Sequence, residues 1–451
     1  MSTPSDHAIG ALSRPMRSYF LALLCLAALL NLLDRQIFAI LLEPIKRDLH
    51  LSDTQMGLVS GGAFAVVYTI AGIPLGRLID TGKRRILLGA TLLAWSGMTM
   101  CSGLARNYFG LLAARMGVGI GEAGGMPATM SLVGDLYPLE RRTGAIGLIY
   151  ASGAIGVAIS LVAGGYLESV VGWRGAFVLV GIPGIVLGLL FLFTVPEPAR
   201  GVRAAGPRAP LIASLRAIWR VPSFRVLAAI SALYSFAGNA IIGWGPTFLV
   251  RVHGMSGVDV GKCLGIGIVC GAMGSLVAGQ VADRLVRRNI QWLPLIMAFG
   301  PFLAVPPMLV FLYGSGAFTL GFTYALFQLF GNMFIAPSYA LAISVTPGGN
   351  RALTIAAIAI FQNLGGMALG PLAVGMLNDA LRAEFGPLAI RYSLTVALMG
   401  LVGVSLLALV SLRYVRADFL RAQIAPTADQ RAGGPPHQVD DDEPQAARQP
   451  S

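Results

Sequence analysis

Four ionisable residues stand inside otherwise apolar stretches of this chain: Asp34 and Arg35 in one stretch, Arg115 and Glu122 in another. Two carboxylates and two guanidiniums in such a setting are suited to exchanging protons and ionic partners. Burial raises a carboxylate's proton affinity and a neighbouring Arg lowers it, so a cavity opening alternately to two sides can load a proton on one side and release it on the other. An Arg freed from its carboxylate can then hold a phosphate or carboxylate through two parallel N–H bonds. The competing explanation is a static, neutralised network that only fixes helix packing. Each charge costs roughly 2.5–3.5 kcal/mol at a helix centre on insertion scales, and intramembrane ionisable groups usually mark ion or substrate pathways. The functional reading therefore takes precedence. Asp34 is the first candidate for proton coupling, with Glu122 as its partner or a second site. Arg35, placed toward the cavity mouth, is the anion anchor, with Arg115 beside it.

The spacing of these residues specifies the elements that must carry them. Arg115 and Glu122 are seven apart, two turns and about 10.5 Å along one helix face. If the first apolar helix starts near Ser18, Asp34 lies about 24 Å in, while a descending fourth helix brings Arg115 about 12 Å in from the opposite side. Asp34, Arg35 and Arg115 then share the outer half, with Glu122 closer to the midplane. Adjacent helical residues point about 100° apart, so Asp34 and Arg35 do not aim at one point. Asn31, three residues before Asp34, shares its face. In the second half of the chain the comparable polar residues are Asn239, Gln328, Asn332, Gln362 and Asn363, with no ionisable residue among them. That asymmetry assigns the proton and a polar head to the first half and a more apolar wall to the second. Phe64, Tyr68, Trp244, Phe327, Phe330 and Tyr339 are candidates to touch an apolar tail, although individually such residues are more often packing or interface residues.

The 451 residues are 55% hydrophobic and only 12% charged, about half the charge fraction of soluble domains. The four cysteines (Cys25, Cys101, Cys263, Cys270) are scattered in apolar runs without CxxC spacing, which excludes a disulfide scaffold. Runs of about 20 apolar residues, the length that crosses a bilayer core, occur at 18–43, 55–79, 84–105, 107–135, 143–168, 174–195, 223–250, 258–282, 291–313, 316–345, 352–378 and 388–414. These are long runs, not the short alternating segments of a β-barrel. With the N-terminus inside, inner segments hold 23 of the 33 basic residues and outer segments eight. This bias places both termini in the cytoplasm, and the plasma or inner membrane is the expected location. The net charge of +12 is thus a topology signal, and nucleic acid is not an expected partner. The four His lie in tails or outer loops and no phosphate-binding loop motif is present, so no metal, cofactor or ATP site is expected.

The chain also repeats itself. GRLIDTGKRR (76–85) and GQVADRLVRR (279–288) align with a constant offset of 203, and Pro138 and Arg142 match Pro347 and Arg351 at 209. The expected fold is an all-α membrane protein of twelve transmembrane helices in two pseudo-symmetric six-helix bundles. Its parts are a cytoplasmic arm (1–17), a first bundle (18–195), a cytoplasmic linker (196–222), a second bundle (223–414) and a disordered cytoplasmic tail (415–451). The linker turns apolar-basic around Leu211, Ile212, Leu215, Arg216, Ile218 and Trp219, the composition of a short helix lying on the inner leaflet.

Gly-x-x-x-Asp-x-x-x-Arg-Arg in both loop copies on a 6+6 plan resembles the major facilitator superfamily, over roughly residues 15–415. NLLDRQ (31–36), LSDTQMGL (51–58) and RMGVGIGEAGGMPA (115–128) resemble its spinster-like branch, whose members move lysolipids, sphingoid-base phosphates and other amphiphiles. The resemblance implies that Gly76, Asp80, Arg84 and Arg85, with Gly279, Asp283, Arg284 and Arg287, form a conformational latch between the halves that stabilises the outward-facing state. Thr81 and Lys83 depart from the pattern usual in the first copy. Together these readings lead to a proton-coupled secondary transporter, not an enzyme, that carries an amphipathic organic anion or lysolipid-like substrate by alternating access. Asn31, Asn239, Asn332, Phe64, Tyr68, Arg35 and Arg115 would bind the substrate. Protons and membrane lipids are the other expected partners, and a monomer the expected state. The alternatives are a small organic acid, sugar or drug in the same fold, or uncoupled facilitation.

Overall fold

The computed structural model describes residues 13–81, 83–197, 211–346 and 350–424; the side chains of Asp80, Thr81 and Arg351 fall outside the described set. Most of the tail, part of the linker and Pro347 also lie outside it. Among the described residues every regular element is helical. Among the same residues nine stretches are long and apolar enough to cross a membrane. Two of them, Gly144–Phe193 and Leu353–Gln423, each contain two passes, and the broken stretch Tyr108–Glu122 with Gly125–Leu136 supplies another. Twelve passes result.

Span one is Arg14–Leu49, started by Ser13, whose hydroxyl accepts from the Met16 amide. Span two begins at Asp53 behind a reciprocal capping box: the Ser52 hydroxyl accepts from the Gln55 amide at 3.1 Å, and the Gln55 side chain accepts from the Ser52 amide at 2.9 Å. It continues through a π-helical turn, Leu58–Gly62, into Ala63–Thr81. Span three is Arg84–Gly103. Spans five and six form one run, Leu139–Phe193, divided at Gly172, whose φ of 68° takes it out of the helix. The linker helix is Leu211–Trp219; Ile218 is buried, Trp219 stacks on Phe361 at 5.8 Å, and Ile212 and Leu215 are exposed. Spans seven to nine are Pro222–His253, Gly257–Val286 and Trp292–Tyr313. Span ten is Ala317–Gly331, a 3-10 turn Asn332–Phe334, and Ile335–Ser344. Span eleven is Arg351–Phe361, a π-helical turn Gln362–Ala368, and Leu369–Phe385. Span twelve, Ala389–Ile424, extends past the expected start of the tail at 415, because Val415 and Asp418 are buried in the bundle and Asp418 accepts from the Ser223 amide and hydroxyl.

The repeat seen in the loops is also present in the backbone. Span four breaks after Glu122 and span ten after Gly331, positions separated by the same 209 residues that relate Pro138 to Pro347. Both halves start and end on one face: the Tyr19 hydroxyl bonds that of Thr194 at 2.8 Å in the first, and Ser223 bonds Asp418 in the second. This is called the terminal face below, and the opposite one the far face.

The halves meet tightly toward the far face. A Cβ added at Gly57, Gly61 or Gly257 would come within 2.9 Å of Leu372, Pro371 or Gly165 of the other half. Toward the terminal face, a Cβ at Gly72, Gly76, Gly144 or Gly147 would meet nothing within 4 Å. Small residues thus bring the helix backbones together at one end, and the other end is left open.

Candidate functional site

Spans one to four hold the charged cluster. Gly119 and Gly121 in span four allow two neighbours to approach at once, since a Cβ there would lie 2.9 Å from the Phe64 carbonyl oxygen of span two and 2.7 Å from the Trp95 amide of span three. That approach brings Glu122 against span one, where Arg35 donates from Nε to its Oε2 at 2.6 Å. The Arg35 side chain is 22% exposed and the Glu122 side chain fully buried. Arg35 and Glu122 therefore stand side by side, and the expected offset in depth between them is bridged by the long Arg side chain.

Asp34 points elsewhere, as the 100° rule requires: it is 2% exposed and accepts from the Thr99 hydroxyl of span three at 3.3 Å. Arg115, also 2% exposed, makes no ion pair with Glu122 on its own helix; its guanidinium lies over Phe38 at 4.8 Å and Phe64 at 5.4 Å. Arg35 lies over Phe64 at 5.1 Å and Tyr68 at 4.9 Å, and those two rings stack at 5.7 Å. Phe64, expected to line a path for a tail, is a buried platform between two cations. One oxygen of Asp34, one of Glu122, and Nε and Nη1 of Arg115 have no hydrogen-bond partner among the described residues. Buried charged groups left in this way are poised to change partner.

Arg35 borders two cavities. One, of about 190 Å³, lies within the first half and is lined by Ala27, Asn31, Leu32, Tyr68, Met126, Thr129 and Tyr150 among others. The second, of about 210 Å³, lies between the halves and also contains Gln36, Phe38, Arg115 and Asn239. Asn239 opens in turn on a third, of about 270 Å³, with Gln328, Asn332, Tyr339 and Gln362. The polar side chains of spans seven, ten and eleven converge on one chamber, among apolar ones such as Phe327, Phe334 and Leu401, a convergence that their separation in sequence conceals.

The residues expected to form a latch are dispersed in this conformation. Arg84 pairs with Asp135 and, at 3.5 Å, with Glu197, whose carboxylate also accepts from the Arg84 and Arg85 amides at 2.9 Å. The Arg85 side chain donates to the Val195 carbonyl. Both arginines are thus held at the terminal face of their own half. Gly76 has open space beside it, Gly279 packs on Ala336 of its own half, and Asp283, Arg284 and Arg287 are exposed. Asp80 has no described side chain.

A second charged group, not anticipated from the sequence, closes the far face. Arg251 of span seven donates to Glu43 at 2.7 Å and to Asp53 at 2.7 Å, and Lys46 also holds Asp53. Asp379 of span eleven accepts from the Asp53 amide at 3.1 Å, the Thr54 amide at 2.7 Å and the Thr54 hydroxyl at 2.6 Å. An anionic side chain thus sits on the N-terminus of span two, where free amides and the helix dipole favour it. The one signal in the sequence was the capping box that exposes those amides.

Comparison with known proteins agrees with this architecture. Residues 24–328 match the sequence profile of the Major Facilitator Superfamily. An MFS-type efflux pump of Mycolicibacterium smegmatis is 35% identical over 401 residues, covering 87% of this chain and 92% of that one. Protein spinster homolog 1 of Xenopus tropicalis is 27% identical over 431 residues, 88% of this chain and 80% of that one. A crystal structure of a bacterial homolog to the human lysosomal transporter spinster, inward-facing and unoccupied, superposes with a TM-score of 0.79 at 26% identity, covering 92% of this chain and all of that one.

Proposed function

The chain belongs to the major facilitator superfamily, in its spinster-like branch, as a multi-pass integral membrane protein of a transporter family; from that premise we propose that it is a proton-coupled transporter of an amphipathic organic anion, lysolipid-like in chemistry. The observation that carries this reading is the Arg35–Glu122 pair at 2.6 Å, set beside two cavities and next to a separately buried Asp34. Proton and anion compete for one guanidinium. A proton on Glu122 removes the charge that holds Arg35 and frees its N–H groups for a substrate phosphate or carboxylate; departure of the proton restores the pair and expels the anion. Asp34, ranked first for proton coupling on sequence grounds, is held by Thr99 close to the same helices and on this reading is the second proton acceptor. Tyr68 and the apolar side chains around Asn31 receive the apolar part of the substrate.

The positive-inside bias supports a cytoplasmic terminal face, and we take the membrane to be a plasma or inner one. On that placement the open side is the inner one, and the Glu43–Arg251–Asp53 clasp seals the outer one. The two loop copies, Gly76 to Arg85 and Gly279 to Arg287, then come together on the inner face when the halves rock the other way.

The test is proton movement by the reconstituted protein across a pH jump, with Asp34→Asn and Glu122→Gln alongside. At least one substitution should abolish pH-driven substrate flux; unchanged proton movement and flux in both would overturn the assignment. A second reading, export of a small organic acid or drug, is favoured by the 35% identity to a chain described as an efflux pump. Under that reading, export of small acids or drugs would persist where lysolipids are not moved.

A further inference from the structure

The chamber in the second half has a composition that an acyl chain does not need. Spans seven, ten and eleven enclose about 270 Å³, and Asn239, Gln328, Asn332, Tyr339 and Gln362 line it without one charged residue. At about 30 Å³ per water, it has room for a glycerol- or sugar-sized group. Its amides are only partly used by the protein. Asn239 donates to the Ser235 carbonyl at 2.8 Å and Asn332 to the Gln328 carbonyl at 2.8 Å, while Gln362 accepts from the Tyr339 hydroxyl at 3.3 Å. Among the described residues the side-chain oxygens of Asn239 and Asn332, the Gln362 amino group and the whole Gln328 amide have no hydrogen-bond partner and can serve as acceptors and donors.

The connectivity of the cavities sets the order in which a ligand meets them. Asn239 is shared by the chamber and the central cavity that holds Arg35 and Arg115. Arg35 and Leu32 are shared by the central cavity and the first-half cavity, where Asn31, Thr129 and Tyr150 stand among the mainly apolar walls of Ala27, Leu32, Met126 and Ile149. Along this path the anion site lies between an apolar compartment and a neutral polar one.

We infer that the chamber is a second, uncharged subsite, and that the substrate carries its anion internally, with an apolar portion on one side and a hydroxyl- or amide-bearing portion on the other. This inference rests on the amphipathic-anion reading and narrows it. A phosphodiester bearing a polyol headgroup satisfies all three compartments. A terminal phosphate leaves the amides without a partner. An ammonium headgroup finds no carboxylate in the chamber to offset its desolvation.

The experiment uses the full chain in proteoliposomes and three probes: lysophosphatidylglycerol, lysophosphatidic acid and lysophosphatidylcholine. Flux of the glycerol lipid should half-saturate at about tenfold lower concentration than that of the other two, the effect of roughly two neutral hydrogen bonds. Gln328→Leu with Gln362→Leu, both absent from the cavity that holds Arg35 and Arg115, should remove that advantage and leave lysophosphatidic acid flux intact, which also shows that the variant is folded. Equal handling of the three lipids, with flux still dependent on Arg35, would overturn the subsite and leave the amphipathic-anion reading standing. A preference for the choline lipid, or equal loss of all probes in the double variant, would likewise overturn the subsite. Failure to move any of the three would sink both readings together.

Discussion

At the scale of the residue, the cluster around Arg35 separates two carboxylates that the sequence presents as equivalent. Glu122 is tied to a cation and Asp34 to a neutral hydroxyl, so the two respond to different substitutions. Thr99→Val removes the hydroxyl that donates to Asp34 while preserving volume. It should displace the pH profile of transport by roughly 0.4–1 unit, the equivalent of one hydrogen bond, whereas Thr99→Ser should leave it in place; initial flux measured against pH distinguishes the two. Asp34, Arg35, Arg115 and Glu122 were legible because charge is so sparse in these spans. Their pairing was not. Arg35 and Glu122 are 87 residues apart, and whether Glu122 meets Arg35 or Arg115 depends on the relative rotation of two helices. Thr99 carried no signal at all, since a hydroxyl in a membrane helix commonly satisfies itself on its own backbone, as Thr69 does on the Ala65 carbonyl.

At the scale of the element, glycine is the residue whose meaning changed most between sequence and structure. Its abundance in span four indicated close helix packing, but only the structure separates Gly121, which faces the Trp95 backbone at 2.7 Å, from Gly72, which faces open space. Gly121→Ala should push spans three and four apart and cost about 1–3 kcal/mol, read as a lowered thermal unfolding midpoint in detergent. Gly72→Ala should leave that midpoint unchanged or raise it slightly, because Ala is the better helix former. Most span limits were legible from apolar runs and basic flanks. The continuous Leu139–Phe193 helix was not, since the loop expected between 168 and 174 is reduced to a single break at Gly172. The matched breaks in spans four and ten escaped for a related reason: hydropathy does not register a turn of helix geometry within an apolar run.

At the scale of the whole molecule, the clasp on the far face determines which side is closed. Arg251 neutralises Glu43 and Asp53 at once with a side chain only 14% exposed. Its removal leaves two carboxylates in the seam with Lys46 and Arg47 as their remaining cations. Breaking such a buried pair from one side costs about 3–5 kcal/mol, and two conformations of a transporter differ by only a few. Arg251→Met should therefore shift the population toward a form open at the far face, seen as a longer distance between spin labels on the far ends of spans two and eleven. An unchanged distance distribution would show that the apolar seam around Gly57, Pro371 and Gly165 suffices. By itself the sequence determined the solvent, the number of passes, the twofold repeat and the four charges set inside apolar spans, because these follow from residue counts, apolar run lengths and fixed offsets along one chain. The tertiary structure decided the rest: which carboxylate holds Arg35, that scattered Asn and Gln residues share one chamber, and that Glu43, Asp53, Arg251 and Asp379 meet at the far face. The Arg35–Glu122, Arg251–Asp53 and Asp379–Asp53 contacts join residues from 87 to more than 300 positions apart, and only the packing of helices against one another sets their distances.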